Sequence, residues 1–277
     1  GPARGGKSRG KGGGKMIIDV LGNATYCYTN SRDIDPDRDS VVFIHGAGMD
    51  HTVWTMFARH FARHGRNVIA VDLPAHGRSA GDARASIEDM SDWITALLDA
   101  LGIERAALVG HSLGSLVALD CAARHPQRVR ALALVGSTAP MPVSDAILDA
   151  AASNDHAAFD MLTQWGYSKR HLYGGNKNPG MWMVGSTLRL FERSRPGVLY
   201  ADMNACNNYV AGLERATQVQ CPVLAVLGRD DRLTPVRSTQ GLIDALPCAE
   251  VKIIDAAGHT LMAEATNPLL DALKTTL

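Results

Sequence analysis

Short, continuous apolar runs recur along this chain and alternate with stretches of helical periodicity. The clearest runs are VVFIHG at 41–46, NVIAVDLP at 67–74 and VKIIDAAG at 251–258. Runs of this length without polar alternation are typical of strands that are buried on both faces of a sheet. Such strands separated by helices predict an α/β fold, in which helices flank a mostly parallel twisted sheet.

The remaining segments extend the same pattern. Two short strands, MIIDV at 16–20 and ATYCYT at 24–29, come first, and we expect them to pair antiparallel. Periodicity predicts three further buried strands and five helices. The strands are 106–111, 131–137 and 222–228, and the helices are 52–64, 87–101, 113–124, 236–246 and 267–275.

Two stretches depart from this alternation. Residues 1–15 are almost entirely glycine, lysine and arginine, so we expect them to be disordered. Their opening Gly-Pro is typical of a remnant of protease cleavage after expression, and a native basic arm for nucleic acid is the alternative. Residues 139–219 hold no good strand and are helix-prone. The folded domain is therefore predicted to span 16–277, with an inserted helical cap at 139–219.

Charge and cysteine content narrow the possible partners. The chain has 28 basic and 28 acidic residues, and without the five basic residues of the tail 23 stand against 28. A mildly acidic body argues against a nucleic-acid surface. No segment approaches the ~18 to 20 apolar residues of a membrane span. Five scattered cysteines without CxxC spacing fit free thiols in a reducing, cytoplasmic setting, and they offer no metal-ligand cluster.

A serine lies between two glycines where the predicted strand 106–111 gives way to a helix. The segment is GHSLG, with Ser112 at its centre. Sites in open α/β sheets form at the carboxyl ends of the strands, and the helix that follows would direct its N-terminal amides at a group on this serine. GxSxG alone is a weak signal, because an ordinary tight turn also produces it.

Three further segments follow the ends of other predicted strands. They are HGAG at 45–48, LGRDDRLTP at 227–235 and DAAGHT at 255–260. Each alone is typical of an ordinary turn, but together they place an acid and a histidine at the same edge as the serine. A serine hydroxyl needs a base to become a nucleophile, and the base needs an acid to fix its tautomer. The chain order Ser…Asp…His is that of the nucleophile elbow, and either Asp230 or Asp231 could supply the acid.

With these segments the sequence resembles the α/β-hydrolase superfamily over nearly all of residues 16–277. DLPAHGRSAG at 72–81 is similar to the D-x-P-G-x-G-x-S segment of that family, with Ala75 where glycine is usual. The resemblance implies that Ser112 is the nucleophile and that His259 is the general base.

The resemblance also selects the remaining site residues. The family pattern G-x-x-D-x-x-x-P, matched by Gly228 and Pro235, favours Asp231 over Asp230. The family's oxyanion hole would consist of the backbone N–H groups of Ala47 and Leu113. His45 and His76 lie in predicted turns, where a histidine more often holds the backbone, and His111 is the variable residue of the elbow.

The activity implied by the resemblance is hydrolysis of a small or medium carboxylic ester, thioester or lactone through an acyl-enzyme, without cofactor or metal. Hydrolysis of a carbon–carbon bond in a ring-cleavage product is an alternative that uses the same triad. A small-molecule receptor with little turnover is another. The cap would cover the site, and its Trp165, Met181 and Trp182 are candidates for the substrate pocket or for the packing of the cap itself. The oligomeric state stays open.

Overall fold

A computed structural model describes residues 16–177 and 180–277, so the predicted disorder of 1–15 lies outside the described residues. Eight strands form one sheet in the order β1-β2-β4-β3-β5-β6-β7-β8. They are β1 (Met16–Val20), β2 (Asn23–Tyr28), β3 (Ser40–Ile44), β4 (Asn67–Val71), β5 (Ala106–His111), β6 (Val129–Val135), β7 (Val223–Gly228) and β8 (Ala249–Ile254). β1 pairs antiparallel with β2 and β2 antiparallel with β4, and β3 to β8 are parallel. The predicted α/β fold with a mostly parallel sheet is confirmed.

Helices cover both faces of this sheet, and each face has its own apolar core. The helices outside the region between β6 and β7 are α1 (Thr55–Arg63), α2 (Ile87–Leu101), α3 (Leu113–Arg124), α10 (Val236–Ala245), α11 (Leu261–Glu264) and α12 (Thr266–Leu273). Side chains of α2 and α3 belong to one core, whereas Phe57 of α1 and Leu269 of α12 belong to the other. Strands β3 to β7 are almost wholly buried because both of their faces are covered.

The apolar runs extend beyond the strands that they predict. β4 ends at Val71 rather than at 74, and β8 ends at Ile254 rather than at 258. The carboxylate of Asp72 explains the first difference, because its oxygens accept the backbone N–H groups of His51 (2.7 Å) and Arg78 (2.9 Å) and so build a turn. Residues at these strand ends are therefore free to form the loops that carry polar side chains.

The chain between β6 and β7 contributes six helices and, within the described residues, no strand. They are α4 (Asp145–Ala152), α5 (Ala157–Gly166), α6 (Lys169–Leu172), α7 (Met183–Glu192), α8 (Val198–Asn208) and α9 (Gly212–Thr217). We refer to residues 139–219 as the inserted helical segment. Among the described helices of the whole chain, none is both long enough and apolar enough to cross a membrane.

A sharp turn joins β5 to α3 at Ser112. The backbone of Ser112 has φ 52° and ψ −116°, a conformation that non-glycine residues rarely adopt. Glycines allow the close approach on either side. A Cβ at Gly110 would lie 2.1 Å from the carbonyl oxygen of Gly114, and a Cβ at Gly114 would lie 2.4 Å from that of Ile44. The turn therefore depends on backbone contacts that any side chain would prevent.

Replacement of Gly114 tests this packing. We expect Gly114→Ala to lower the free energy of unfolding by about 1–3 kcal/mol, because the new methyl group meets rigid backbone. The matched control is Gly241→Ala within α10, where the nearest atom would be 3.9 Å away and where alanine favours the helix by up to about 1 kcal/mol. Urea unfolding measures both, and equal effects of the two changes would contradict the packing argument.

Candidate active site

The structure places Asp231 and His259 side by side at the carboxyl ends of β7 and β8. Nδ1 of His259 donates a hydrogen bond to Oδ2 of Asp231 over 2.8 Å, and both side chains are buried. Asp230, the alternative acid, is exposed to solvent. Of the two adjacent acids in the turn, only Asp231 is thus directed toward the histidine.

Asp231 is held as a carboxylate by a ring of donors. Its Oδ1 accepts the backbone N–H groups of Leu233 (2.9 Å) and Thr234 (2.8 Å), and the hydroxyl of Thr234 donates to Oδ2 over 2.7 Å. Burial raises the pKa of Asp231, but the nearby His259 and these hydrogen bonds lower it further than burial raises it. The net pKa lies below the ordinary value, so the group is ionised at neutral pH.

Three residues, Gly166, His111 and Glu264, hold the backbone around His259. Its N–H donates to the carbonyl oxygen of Gly166 over 3.0 Å, and its own carbonyl accepts Nε2–H of His111 over 2.8 Å. Oε2 of Glu264 accepts the N–H groups of the flanking residues Gly258 (3.0 Å) and Thr260 (3.1 Å). Since Gly166 ends α5, the inserted helical segment takes part in fixing the histidine.

His111 is fully buried behind the site. Burial, followed by the proximity of His259, lowers the pKa of His111 to about 3. The ring is therefore neutral, and the hydrogen bond to the carbonyl of His259 assigns its proton to Nε2. Its Nδ1 has no hydrogen-bond partner in the described part of the chain. The histidine next to Ser112 thus positions a backbone carbonyl and carries no charge into the site.

Ser112 borders the same cavity as His259. Within residues 16–177 and 180–277, the hydrogen bond found for its Oγ runs to Sδ of Met141, a weak acceptor, over 4.0 Å. Hydrogen bonds between catalytic groups are often long or absent in unliganded sites and tighten when substrate binds. The structure therefore brings Ser112 and His259 to one cavity, and no hydrogen bond joins their side chains among the described residues.

Two backbone amides belong to residues next to Ser112 in the sequence or on the lining of the same cavity. Ala47 follows β3 and lines the cavity, and its N–H donates to no acceptor in the part of the chain that the structure describes. Leu113 is the first residue of α3, and the first N–H groups of a helix have no partner within the helix. The helix dipole adds partial positive charge at this point. Both amides are suited to a negatively charged oxygen.

The cavity has a volume of about 210 Å³, and its lining is mostly apolar. The inserted helical segment contributes much of this surface, through Met141, Val143, Ile147, Leu162, Phe191 and Met203. Among the described lining residues, Arg232 is the only lysine or arginine. Its guanidinium is already bonded to the carbonyl oxygens of Gln164 and of Tyr167, the latter over 3.2 Å. Both of these bonds use Nη2, so the guanidinium keeps its positive charge and is the single lysine or arginine charge among the described lining residues.

The three aromatic and thioether side chains predicted for the pocket are in different places. Trp165 lines the cavity. Met181 and Trp182 are not among the lining residues, and they are 59% and 65% exposed, so their assignment to the pocket is corrected. Trp182 packs instead on the start of its own helix, because its ring occupies the space in which a Cβ of Gly185 would lie.

Sequence reasoning missed three residues that hold the site together, namely Thr234, Glu264 and His111 as a positioning group. Thr234 stands directly before Pro235 in the segment that supplied the acid, and Glu264 follows His259 by five residues. Both residues thus lie close in sequence to the predicted acid and base, and this closeness is the signal that could have drawn attention to them. Their hydrogen bonds, however, join segments whose contact the sequence does not reveal.

One further cluster has the composition of a metal site. Ligand-type atoms of Asp50, His51 and Asp72 lie within 4.8 Å of one another in the described residues. Each carboxylate is already engaged by the protein. Asp50 accepts the backbone N–H of Thr52 (2.9 Å) and the guanidinium of Arg193 (3.0 Å), and Asp72 accepts Nδ1–H of His51 (2.9 Å). These contacts explain the cluster as a set of structural hydrogen bonds and ion pairs between neighbouring segments.

Two curated relatives match this chain over most of its length. A 2-hydroxy-6-oxononadienedioate/2-hydroxy-6-oxononatrienedioate hydrolase from Paraburkholderia phymatum is 28% identical over 269 residues, covering 87% of this chain and 88% of the relative. A pimeloyl-(acyl-carrier protein) methyl ester esterase from Aromatoleum aromaticum is 29% identical over 245 residues, covering 80% and 92%.

A solved structure with the same fold and a sequence model of a family also match this chain. The enol-lactonase from Burkholderia xenovorans has the same fold, with a TM-score of 0.82 at 18% identity over 94% of this chain and 98% of that structure. A sequence model described as the alpha/beta hydrolase fold matches residues 39–177, half of the chain. With its mostly parallel eight-stranded sheet, the chain therefore belongs to the α/β hydrolase fold family of enzymes.

Proposed function

We propose that this enzyme hydrolyses a small or medium carboxylic ester or lactone, with Ser112, His259 and Asp231 as its catalytic triad. The observation that carries the proposal is the buried hydrogen bond of 2.8 Å between His259 Nδ1 and Asp231, next to a cavity that Ser112 also borders. Because Asp231 occupies Nδ1, the other ring nitrogen of His259 is the one left to accept a proton.

The reaction follows from these groups. Nε2 of His259 takes the hydroxyl proton of Ser112 as Oγ attacks the carbonyl carbon, and Asp231 stabilises the imidazolium that forms. The amides of Ala47 and Leu113 stabilise the oxyanion, and each such donor is worth on the order of 3 kcal/mol. His259 then protonates the leaving alcohol. Water, deprotonated by the same histidine, hydrolyses the acyl-enzyme and restores Ser112.

The cavity favours an uncharged, apolar acyl group. Pockets for drug-sized ligands measure roughly 300–1,000 Å³, whereas this cavity measures about 210 Å³. A dianionic substrate would bring two carboxylates to a cavity whose described lining has a single guanidinium, that of Arg232, with Nη2 already bonded to two carbonyl oxygens. We therefore place esters and lactones ahead of dianionic substrates.

Carbon–carbon bond hydrolysis remains the second candidate. It is favoured by the match, over 87% of the chain, to a relative named for hydrolysis of 2-hydroxy-6-oxo dienedioates. The same triad could serve it. The scarcity of free cationic groups in the cavity speaks against two substrate carboxylates, and the uncharged carboxylic esters of the first candidate need none.

We propose in addition that the inserted helical segment acts as a cap over the site. Its support is the lining that this segment supplies to the cavity and the hydrogen bond that the carbonyl of Gly166 accepts from the backbone N–H of His259. The five cysteines are free, and three of them are buried. Free thiols are consistent with a cytoplasmic protein, which we also propose.

Steady-state hydrolysis of p-nitrophenyl esters from acetate to decanoate tests the proposed function. We expect turnover with an optimum at short or medium chains, and its loss in Ser112→Ala by roughly 10³-fold or more, since the nucleophile is removed. Ser153→Ala, which changes an exposed serine, is the matched control. A folded enzyme without ester turnover would favour carbon–carbon bond hydrolysis or a receptor, and full activity of Ser112→Ala would rule out the triad.

The two adjacent acids provide a second test. We expect Asp231→Asn to lower kcat by about 10⁴-fold, because the amide favours the wrong tautomer of His259. Asp230→Asn is the matched control and should keep activity close to that of the unaltered enzyme, since Asp230 is exposed. Rates are measured on the best ester of the series. The reverse ranking would transfer the role to Asp230.

The cavity predicts how chain-length preference responds to its size. Val143 lines the cavity and is partly buried, so we expect Val143→Phe to shift the optimum of kcat/KM toward shorter acyl chains. Val210→Phe makes the same change at a position that is 87% exposed and outside the lining. An unchanged preference in Val143→Phe, or an equal shift in the control, would place the acyl group elsewhere.

A further inference from the structure

A buried histidine outside the proposed triad carries a positive charge. His76 lies in the loop after β4, and both of its ring nitrogens face oxygen atoms that can only accept. Nδ1 donates to the carbonyl of Pro74 over 2.8 Å, and Nε2 donates to Oδ2 of Asp202 over 2.5 Å. A neutral imidazole has one N–H donor, whereas the imidazolium has two. The hydrogen bonds therefore assign the charged form to this ring.

Asp202 depends on this histidine. It lies on α8 of the inserted helical segment and is fully buried. Its Oδ2 accepts from His76 and also from the backbone N–H of Gly48 over 2.8 Å. Its Oδ1 has no hydrogen-bond partner among the described residues. A buried carboxylate without a counter-charge is costly, so His76 supplies the compensation that Asp202 needs.

The pair reaches the loop of the proposed oxyanion hole. Gly48 follows Ala47 directly, so the bond from its N–H to Asp202 fixes the peptide unit that joins the two residues. The loop is also pressed against the inserted helical segment. A Cβ at Gly48, which has φ +65°, would lie 3.0 Å from Leu199 of α8 and 3.3 Å from Phe191 of α7. The orientation of Ala47 thus depends on the docking of these helices.

We propose that Asp202 and His76 are positioning residues, which dock the inserted helical segment on the Ala47–Gly48 loop and keep the amide of Ala47 directed at the oxyanion. The inference rests on the proposed function, because an oxyanion forms only if acyl transfer occurs. Hydrogen-bond donors at such a site act through their fixed orientation, and small displacements cost rate rather than ground-state binding.

The charges around His76 give the pair a pH dependence. Burial lowers the pKa of His76, but Asp202, the hydrogen bond to Pro74 and the charge of Asp72 together raise it by more, and the net pKa lies above the ordinary value. The titratable and charged groups that face His76 are Asp202 from α8, Asp72 after β4 and His45 after β3, with Asp50, His51, Arg78 and Arg193 across the adjoining cleft. His45, whose ring centre is 4.9 Å away, is neutral because burial lowers its pKa to about 4.

The sign of the effect follows from that raised pKa. The imidazolium is lost as pH rises through the pKa of His76, which lies above the ordinary histidine value. Deprotonation would leave the carboxylate of Asp202 uncompensated beside the loop where the oxyanion develops. We therefore expect kcat to decline at alkaline pH in the unaltered enzyme.

The decisive variants separate charge from hydrogen bonding. In His76→Gln the amide can still donate to Asp202 but carries no charge, and we expect kcat to fall roughly tenfold or more with KM changed less than about threefold. Asp202→Asn can keep the acceptor for Gly48 and removes the buried charge. We expect it to lower kcat modestly and to abolish the alkaline decline. The double variant should regain most of the rate that His76→Gln loses.

The matched control is Tyr209→Phe. It deletes another buried hydrogen bond between the inserted helical segment and the sheet domain, from Tyr209 to Asp120 over 2.9 Å, away from the Ala47–Gly48 loop. We expect it to leave kcat and its pH profile unchanged. If Tyr209→Phe lowers kcat as much as His76→Gln does, then any buried contact of the inserted helical segment has the same effect as the pair. That result would overturn the inference.

Three further outcomes decide the proposal. An alkaline decline that persists in Asp202→Asn, or unchanged kcat in His76→Gln, overturns the positioning role while the triad stands. If His76→Gln does not fold, histidine ring NMR of the unaltered enzyme at neutral pH must show both ring protons of His76, and a single proton overturns the inference. Absence of ester turnover in the unaltered enzyme would instead overturn the proposed function itself.

Discussion

The close contact of α3 with the sheet is the constraint on which the site depends. Gly110 and Gly114 let the backbone of the helix approach the ends of β5 and β3 at distances that no side chain would permit. That approach forces Ser112 into a left-handed backbone conformation. Strained residues of this kind persist only where the surrounding structure determines them. The same contact places the first amide of α3 beside the serine. It therefore positions both the proposed nucleophile and one of the proposed oxyanion donors.

The inserted helical segment does more than enclose the cavity. The carbonyl that ends α5, on Gly166, receives the backbone N–H of His259, and Asp202 of α8 receives that of Gly48. Helix ends have carbonyl groups without partners inside the helix, and here one of them is satisfied by the loop of the proposed base. The proposed reacting groups follow strands of the sheet, and the inserted helical segment holds two of the loops that carry the proposed site.

The hydrogen bonds of His111, His76 and Asp231 indicate which of these buried side chains are charged. His111 donates from one nitrogen and is neutral, because burial outweighs every nearby acceptor. His76 donates from both nitrogens and is charged, because Asp202 lies against it. Asp231 has four donors around it and is ionised. His111, whose ring lies against that of His259, is therefore neutral, and the charged His76 is paired with a carboxylate.

The sequence by itself determined the sheet, its buried strands and the helices 87–101 and 113–124, because hydrophobic periodicity is a local property of the chain. Chain order and turn residues led to Ser112, His259 and the adjacent acids Asp230 and Asp231, and the resemblance to the α/β-hydrolase family favoured Asp231. Only the tertiary structure decided that His76 meets Asp202 across 126 residues, and that Met181 and Trp182 lie outside the cavity. Contacts of this range depend on how helices dock, and packing geometry between distant segments leaves no periodic signal in the sequence.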